Sequence, residues 1–241
     1  MNKVLGVAFG LAAYVIFLFS FLYAVGFVGN FIVPKSIDSG VDTNLVTAVV
    51  IDLLLLGAFA IQHSVMARPA FKAAWTRLVS PSIERSIYVL VSSLLLLLLF
   101  WQWRPLPQTI WEVHGATSAV LMVLFWLGWL VVLLSTFMIS HFDLFGLRQV
   151  LLNMQGKAYA LPPFTTRGFY RFVRHPIMIG FIVAFWAAPA MTLGHLIFAL
   201  ATTGYILIGI QFEEHDLANA LGDAYRQYRE KVPMLLPWPR K

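Results

Sequence analysis

Arg174, His175 and Pro176 stand at the edge of a long apolar run, in the segment Arg171-Phe-Val-Arg174-His175-Pro176-Ile-Met-Ile-Gly180. Proline suits the first turn of a helix, where its missing N–H would have had no partner. Arg174 and His175 then lie at a helix mouth beside open backbone N–H groups, a corner able to take up an anion or a carboxylate. Further on, Glu213, Glu214 and Asp216 follow an apolar run directly. Acids near a helix C-terminus oppose its dipole. Their placement therefore calls for a continuing helix or for something positive, either Arg171 and Arg174 or a bound cation. Next comes Gly222-Asp-Ala-Tyr225-Arg-Gln-Tyr228-Arg-Glu, a short capped helix with both tyrosines on one face. Such a face suits an adenine ring or a sulfonium cation; the same tyrosines also serve as interfacial anchors in many membrane proteins.

Three further clusters interrupt apolar sequence. His141-Phe-Asp143-Leu-Phe-Gly146-Leu-Arg148-Gln149 packs His, Asp, Arg and Gln into nine positions. Gln62-His63-Ser64 ends one apolar run, and Glu84-Arg85-Ser86-x-Tyr88 opens the next. Glu84 and Arg85 read as an interfacial ion pair, while Tyr88 points one turn deeper. Asp52 sits inside an apolar run, where an acid costs about 2.5–3.5 kcal/mol on insertion scales and needs an interior partner. It serves either as a proton relay or as a structural partner for Ser92 or Ser93.

The elements that position these groups are membrane helices. Of 241 residues, 60% are hydrophobic and 12% charged, about half the charged share of a soluble domain. There are no cysteines, which excludes disulfides and thiolate chemistry. Spans are expected at 4–28, 45–66, 83–103 (capped by Ser82) and 115–140, then two shorter runs at 176–188 and 192–211, with a polar tail from Phe212. Arg104–His114 reads as a loop lying in the interface. The fold class is an all-α polytopic membrane protein, a bundle of five to six transmembrane helices with a cytoplasmic C-terminal tail, the last two runs forming a helical hairpin if the first does not cross. Residues 1–241 make one domain, a four-span bundle to 140 followed by a loop, hairpin and tail. Basic residues crowd the loops after spans two and four and the tail. By the positive-inside rule both termini lie on the cytoplasmic side, in a bacterial inner membrane. His63, His141, His175 and His215 then share the inner face, and the net charge of +6 is a topology signal with no nucleic acid implied.

Two motif sets carry a resemblance. Arg174-His175-Pro176-x₃-Gly180, with Glu213-Glu214-x-x-Leu217-x₄-Gly222-x-x-Tyr225-x-x-Tyr228-x₃-Val232-Pro233-x₃-Pro237, resembles the C-terminal signature of isoprenylcysteine carboxyl methyltransferases and their relatives. Gln62-His63-Ser64-x-Met66-Ala67-Arg68, Glu84-Arg85-Ser86-x-Tyr88 and His141-x-Asp143-x-x-Gly146-Leu147-Arg148-Gln149 are similar to the nurim family. The resemblance implies S-adenosyl-L-methionine as co-substrate. Arg174, His175, Pro176, Gly180, Glu213, Glu214, Tyr225 and Tyr228 would hold it, with Arg148 and Gln149, and no metal. It also implies methylation of a small thiol inside the membrane, methanethiol to dimethyl sulfide, with no obligate protein partner. A thiol needs a base; His141 with Asp143 is the first candidate, then His63 and Tyr88. The rival readings are a methyltransferase acting on a prenylated or lipid substrate, an NADPH-dependent membrane reductase, and a non-enzymatic envelope protein or histidine-ligated haem or metal site.

Overall fold

A computed structural model describes residues 2–237. The end of the Pro- and Trp-containing tail, at Trp238 and Pro239, lies outside the described residues. In chain order the elements are α1 (Lys3–Gly29), α2 (Leu45–Ala67), α3 (Pro69–Trp75), α4 (Pro81–Gln102), β1 (Thr109–Glu112), α5 (Gly115–Ile139), α6 (His141–Leu144), α7 (Leu147–Met154), α8 (Pro176–Trp186), β2 (Ala190–Thr192), α9 (Leu193–Leu221) and α10 (Asp223–Lys231). Among the described residues, five helices (α1, α2, α4, α5 and α9) are long and apolar enough to cross a bilayer, which needs about 20 residues. The protein is an all-α integral membrane protein.

Caps set the helix starts. Asn2 accepts from Val4 N, Asn44 from Thr47 N and Thr192 from His195 N, each satisfying an orphan donor of the first turn. The expected Ser82 cap is corrected: α4 begins two residues earlier, with Pro81 in its first turn after Ser80. For the acids after the last apolar run, the continuing helix is the alternative that holds. Glu213, Glu214 and Asp216 lie within α9, which continues to Leu221, so they do not end a helix and do not meet its C-terminal dipole.

The chain forms two compact units. In the first, residues 1–107 and 140–162, α4 packs against both α1 and α2, and α7 lies on α1 and α4. Asp52, in α2, is fully buried and accepts the backbone N–H of Arg104 at 2.8 Å. Its partner is therefore the chain just past the C-terminus of α4. Ser92 and Ser93 bond elsewhere, to Gln62 and to the Val89 carbonyl, so the expected serine pairing is not made.

In the second unit, residues 108–139 and 163–237 of those described, α5 packs along α8, and α8 and α9 form a hairpin. The expected interfacial loop is instead partly a β-ribbon: β1 pairs antiparallel with β2, with a bulge between Thr109 and Trp111. Since α5 and α9 each follow one strand of this ribbon, they start at the same end. At 11 residues α8 spans about 16 Å, roughly half of a hydrocarbon core; a tight turn, with Ala188 N donating to the Trp186 carbonyl at 2.9 Å, leads from it into the ribbon.

Gly180 belongs to packing. A Cβ there would sit 2.7 Å from the Gly128 carbonyl and from Val132 Cγ2, and one on Gly128 would sit 2.7 Å from Ala184 N. Two bare backbones make the α5–α8 contact, the small-residue device of membrane helix pairs. Gly180→Ala is expected to destabilise the second unit by about 1–3 kcal/mol, seen as a lower unfolding temperature in detergent. An unchanged melt would remove this role.

Candidate functional site

In the second unit α8 begins at Pro176, and α9 runs back past that start with its last turns. The geometry brings Arg174, His175, Glu213 and Glu214 into one corner, with Arg229 from α10. Arg174 Nε and Nη2 both donate to Glu214 Oε1, at 2.7 and 2.6 Å. His175 Nε2 is 3.1 Å from the same oxygen, and its Nδ1 is 3.6 Å from Glu213 Oε2. Arg229 Nε reaches Glu214 Oε2 at 3.4 Å. Glu214 is 4% exposed, and a carboxylate so buried is tolerable only with partners of this kind.

Two of the backbone N–H groups at this helix mouth, those of Arg174 and His175, are occupied. Arg174 N donates to the Pro233 carbonyl at 2.9 Å and His175 N to the Met234 carbonyl at 3.2 Å. Arg174 Nη1 donates to the carbonyls of Arg229 and Val232. Arg174 thus clamps the tail to the hairpin. Its guanidinium is committed to carboxylate and carbonyls, and a ligand carboxylate bonded to those two N–H groups is not compatible with this geometry.

Tyr225 and Tyr228 face inward from α10, their ring centroids 6.0 Å apart, with Phe164 edge-on to both. Tyr228 Oη donates to the Tyr170 carbonyl at 2.5 Å. Tyr225 is 1% exposed, yet its hydroxyl has no hydrogen-bond partner among the described residues. Burial, ahead of the opposing effects of nearby Glu214 and Arg174, pushes Tyr225 up to about 12. Burial likewise pushes Tyr228 up to about 12, and the Tyr170 phenol is raised by burial and then by Glu213. Both α10 phenols therefore keep their protons at neutral pH. A buried hydroxyl without a partner is costly. Glu213 is half-exposed beside His175, which leaves one carboxylate of the corner accessible.

The first unit holds the other candidates. His63 Nε2 lies 2.8 Å from Tyr88 Oη. Ser92 Oγ is 3.3 Å from His63 Nδ1 and donates to Gln62 Oε1. The Arg85 guanidinium covers the Tyr88 ring at 4.9 Å, and its Nε donates to the Leu144 carbonyl; Arg85 is thus turned toward α6. His141 opens α6 and is 6% exposed. Its Nε2 lies 2.9 Å from Tyr14 Oη. The expected His141–Asp143 pair is not made. Asp143 Oδ1 takes Arg148 Nη1 at 3.0 Å, Oδ2 takes the Tyr159 hydroxyl, and the Asp143 carbonyl takes Gln149 Nε2. Two residues on, roughly half a turn of helix, Asp143 points away from His141 and into the α6–α7 turn, where it organises Arg148, Gln149 and the loop at Tyr159. Burial holds His141 below the ordinary histidine value and, followed by Asp143, raises Tyr159.

Sequence reading passed over Tyr14, Tyr170, Arg229 and Phe164. A phenol in an apolar span was the available signal for Tyr14, and Arg229 lies one turn after Tyr225 on the same helix. No group of three or more metal-ligating side chains occurs among the described residues.

The sequence profile of the NnrU protein family matches residues 52–227. The chain belongs to this family of membrane proteins. Within it, the whole chain is similar to enzymes that methylate a thiol: it is 57% identical over 242 residues to methanethiol S-methyltransferase of Mycobacterium tuberculosis, covering 100% of this chain and 99% of that one. It is 56% identical over 239 residues to methanethiol S-methyltransferase 1 of Bradyrhizobium diazoefficiens, covering 99% of this chain and 84% of that protein. Nurim of Mus musculus is 30% identical over 185 residues, covering 73% of this chain and 70% of nurim. No solved structure matches the chain.

Proposed function

We propose that the protein transfers a methyl group from S-adenosyl-L-methionine to methanethiol, giving dimethyl sulfide, with its donor site and both termini on the cytoplasmic side. The observation that carries this reading is identity of 45–57% along nearly the whole chain to proteins named methanethiol S-methyltransferase.

The corner in the second unit supports the choice of donor. Glu213 offers an accessible carboxylate to ribose hydroxyls or to positive charge, and the tyrosine pair of α10, packed under Phe164 in the free protein, is assigned to the adenine. Bound there, S-adenosyl-L-methionine supplies an electrophilic methyl group on a cationic sulfur. Arg174 holds Glu214 and the tail in register, and His175 keeps both glutamates oriented. His141 in the first unit takes the thiol's proton. Burial favours its neutral form, the one able to act as base. His63 with Tyr88 is the second candidate for that task.

Calorimetry of the purified protein with S-adenosyl-L-methionine tests the donor site. Tyr225→Phe is expected to raise Kd about three- to tenfold, the worth of one hydrogen bond, with an unchanged or raised unfolding temperature because the lost hydroxyl has no partner among the described residues of the free protein. Unaltered affinity would remove Tyr225 from the site, and absence of any binding heat or competition by the wild type would remove the donor.

A further inference from the structure

The face of α1 that meets α6 and α7 is a stripe at helical spacing, Gly10, Tyr14 and Phe17. Gly10 presents no side chain, and a Cβ there would come within 2.7 Å of Val150 Cγ2. This thin point lets α7 lie close along α1, and α6, just before it, follows. Phe17 stacks on Phe145 with centroids 3.7 Å apart. Between them Tyr14 aims its hydroxyl at His141 Nε2, at 2.9 Å. Phe142 and Phe145 stand edge-on around the imidazole. The hydroxyl thus lies among aromatic rings, where a polar atom is tolerable when it is hydrogen-bonded.

We propose that Tyr14 is a positioning residue for the base: its hydroxyl oxygen accepts the Nε2–H of the His141 ring, which fixes the ring's orientation and tautomer and makes Nδ1 the nitrogen that takes the proton from the thiol. The inference rests on the assignment of His141 as base. A phenol can both donate and accept. As acceptor it holds the neutral ring and then the imidazolium without moving. As the thiol S–H bond breaks, the proton goes to the imidazole and the electron pair stays on sulfur; Tyr14 keeps its own proton throughout.

The test compares Tyr14→Phe, His141→Ala and the double variant in the purified full-length protein, with S-adenosyl-L-methionine and methanethiol. Tyr14→Phe keeps the ring in its aromatic box. It is expected to lower kcat about 10- to 100-fold, the rate equivalent of one charge-assisted hydrogen bond, with both KM values and the calorimetric donor affinity within twofold of wild type. The double variant is expected to be no slower than His141→Ala, because Tyr14 acts through that ring. Wild-type kcat in Tyr14→Phe beside an inactive His141→Ala overturns the role of Tyr14 alone. So do losses that multiply in the double variant, or a fall in donor affinity, which marks a merely structural side chain. Full turnover in His141→Ala overturns the base assignment and Tyr14 with it, and a wild type without methyl transfer overturns the enzymatic reading itself.

Discussion

Arg174→Ala is expected to cost the second unit about 3–5 kcal/mol, the usual result of removing one partner of a buried ion pair. Two losses add up. Glu214, nearly sealed from solvent, keeps His175 and the half-exposed Arg229 but loses the two short hydrogen bonds from Arg174. The carbonyls of Arg229 and Val232 lose their donor. The backbone pairing of residues 174–175 with Pro233 and Met234 remains, but without the side chain that anchors it. The expected readouts are a marked fall in unfolding temperature and early proteolysis of the chain after Lys231. Arg174→Lys should recover little, because an ammonium lacks the planar fork that serves a carboxylate and two carbonyls together. Arg174→Met with Glu214→Met should be more stable than Arg174→Ala, since no charge is then stranded. A melt within a degree of wild type for Arg174→Ala would refute the clamp.

His141→Ala carries the largest expected effect on turnover, a fall of about 10²- to 10⁴-fold, the usual worth of a positioned base. Donor affinity should stay within about twofold, because His141 is not among the groups assigned to the donor. The pH profile gives an independent reading. Only the neutral imidazole can accept the thiol's proton, so the rate rises with pH as His141 loses its own. Burial holds that transition below the ordinary value of 6.5, so the acid limb should have its midpoint under 6.5 and vanish in His141→Ala. If the limb stays and turnover survives, the base lies elsewhere, and His63 with Tyr88 is next.

Much of the fold was legible because membrane helices announce themselves: Lys3–Gly29 and Gly115–Ile139 are long, nearly uncharged runs, and length alone decides them. The short α8 was legible for the same reason. The extension of α9 was not, because hydropathy ends at Gln211 while backbone hydrogen bonds continue through Glu214 to Leu221. The ribbon was hidden because β1 and β2 are four and three residues long and lie far apart in sequence. At the candidate site, the grouping of Arg174, His175 and Glu214 could be read from charge: a buried acid and a basic helix mouth require each other. What charge does not reveal is which donors are already used. The Pro233 and Met234 carbonyls at the α8 mouth come from tail residues with no chemical signature. Proximity in sequence also misled at His141 and Asp143, since side chains two apart on a helix point in different directions. Tyr14 pairs with His141 across more than half the chain, and no local pattern carries that.

The most direct measurement follows the methyl group itself. Purified protein is incubated with methyl-labelled S-adenosyl-L-methionine and methanethiol, and the label in the headspace is collected. Labelled dimethyl sulfide is expected in amounts exceeding the enzyme, nearly abolished by His141→Ala. Label that stays on the donor, while the same preparation consumes NADPH or methylates only a prenylated or lipid acceptor, would contradict methyl transfer to methanethiol.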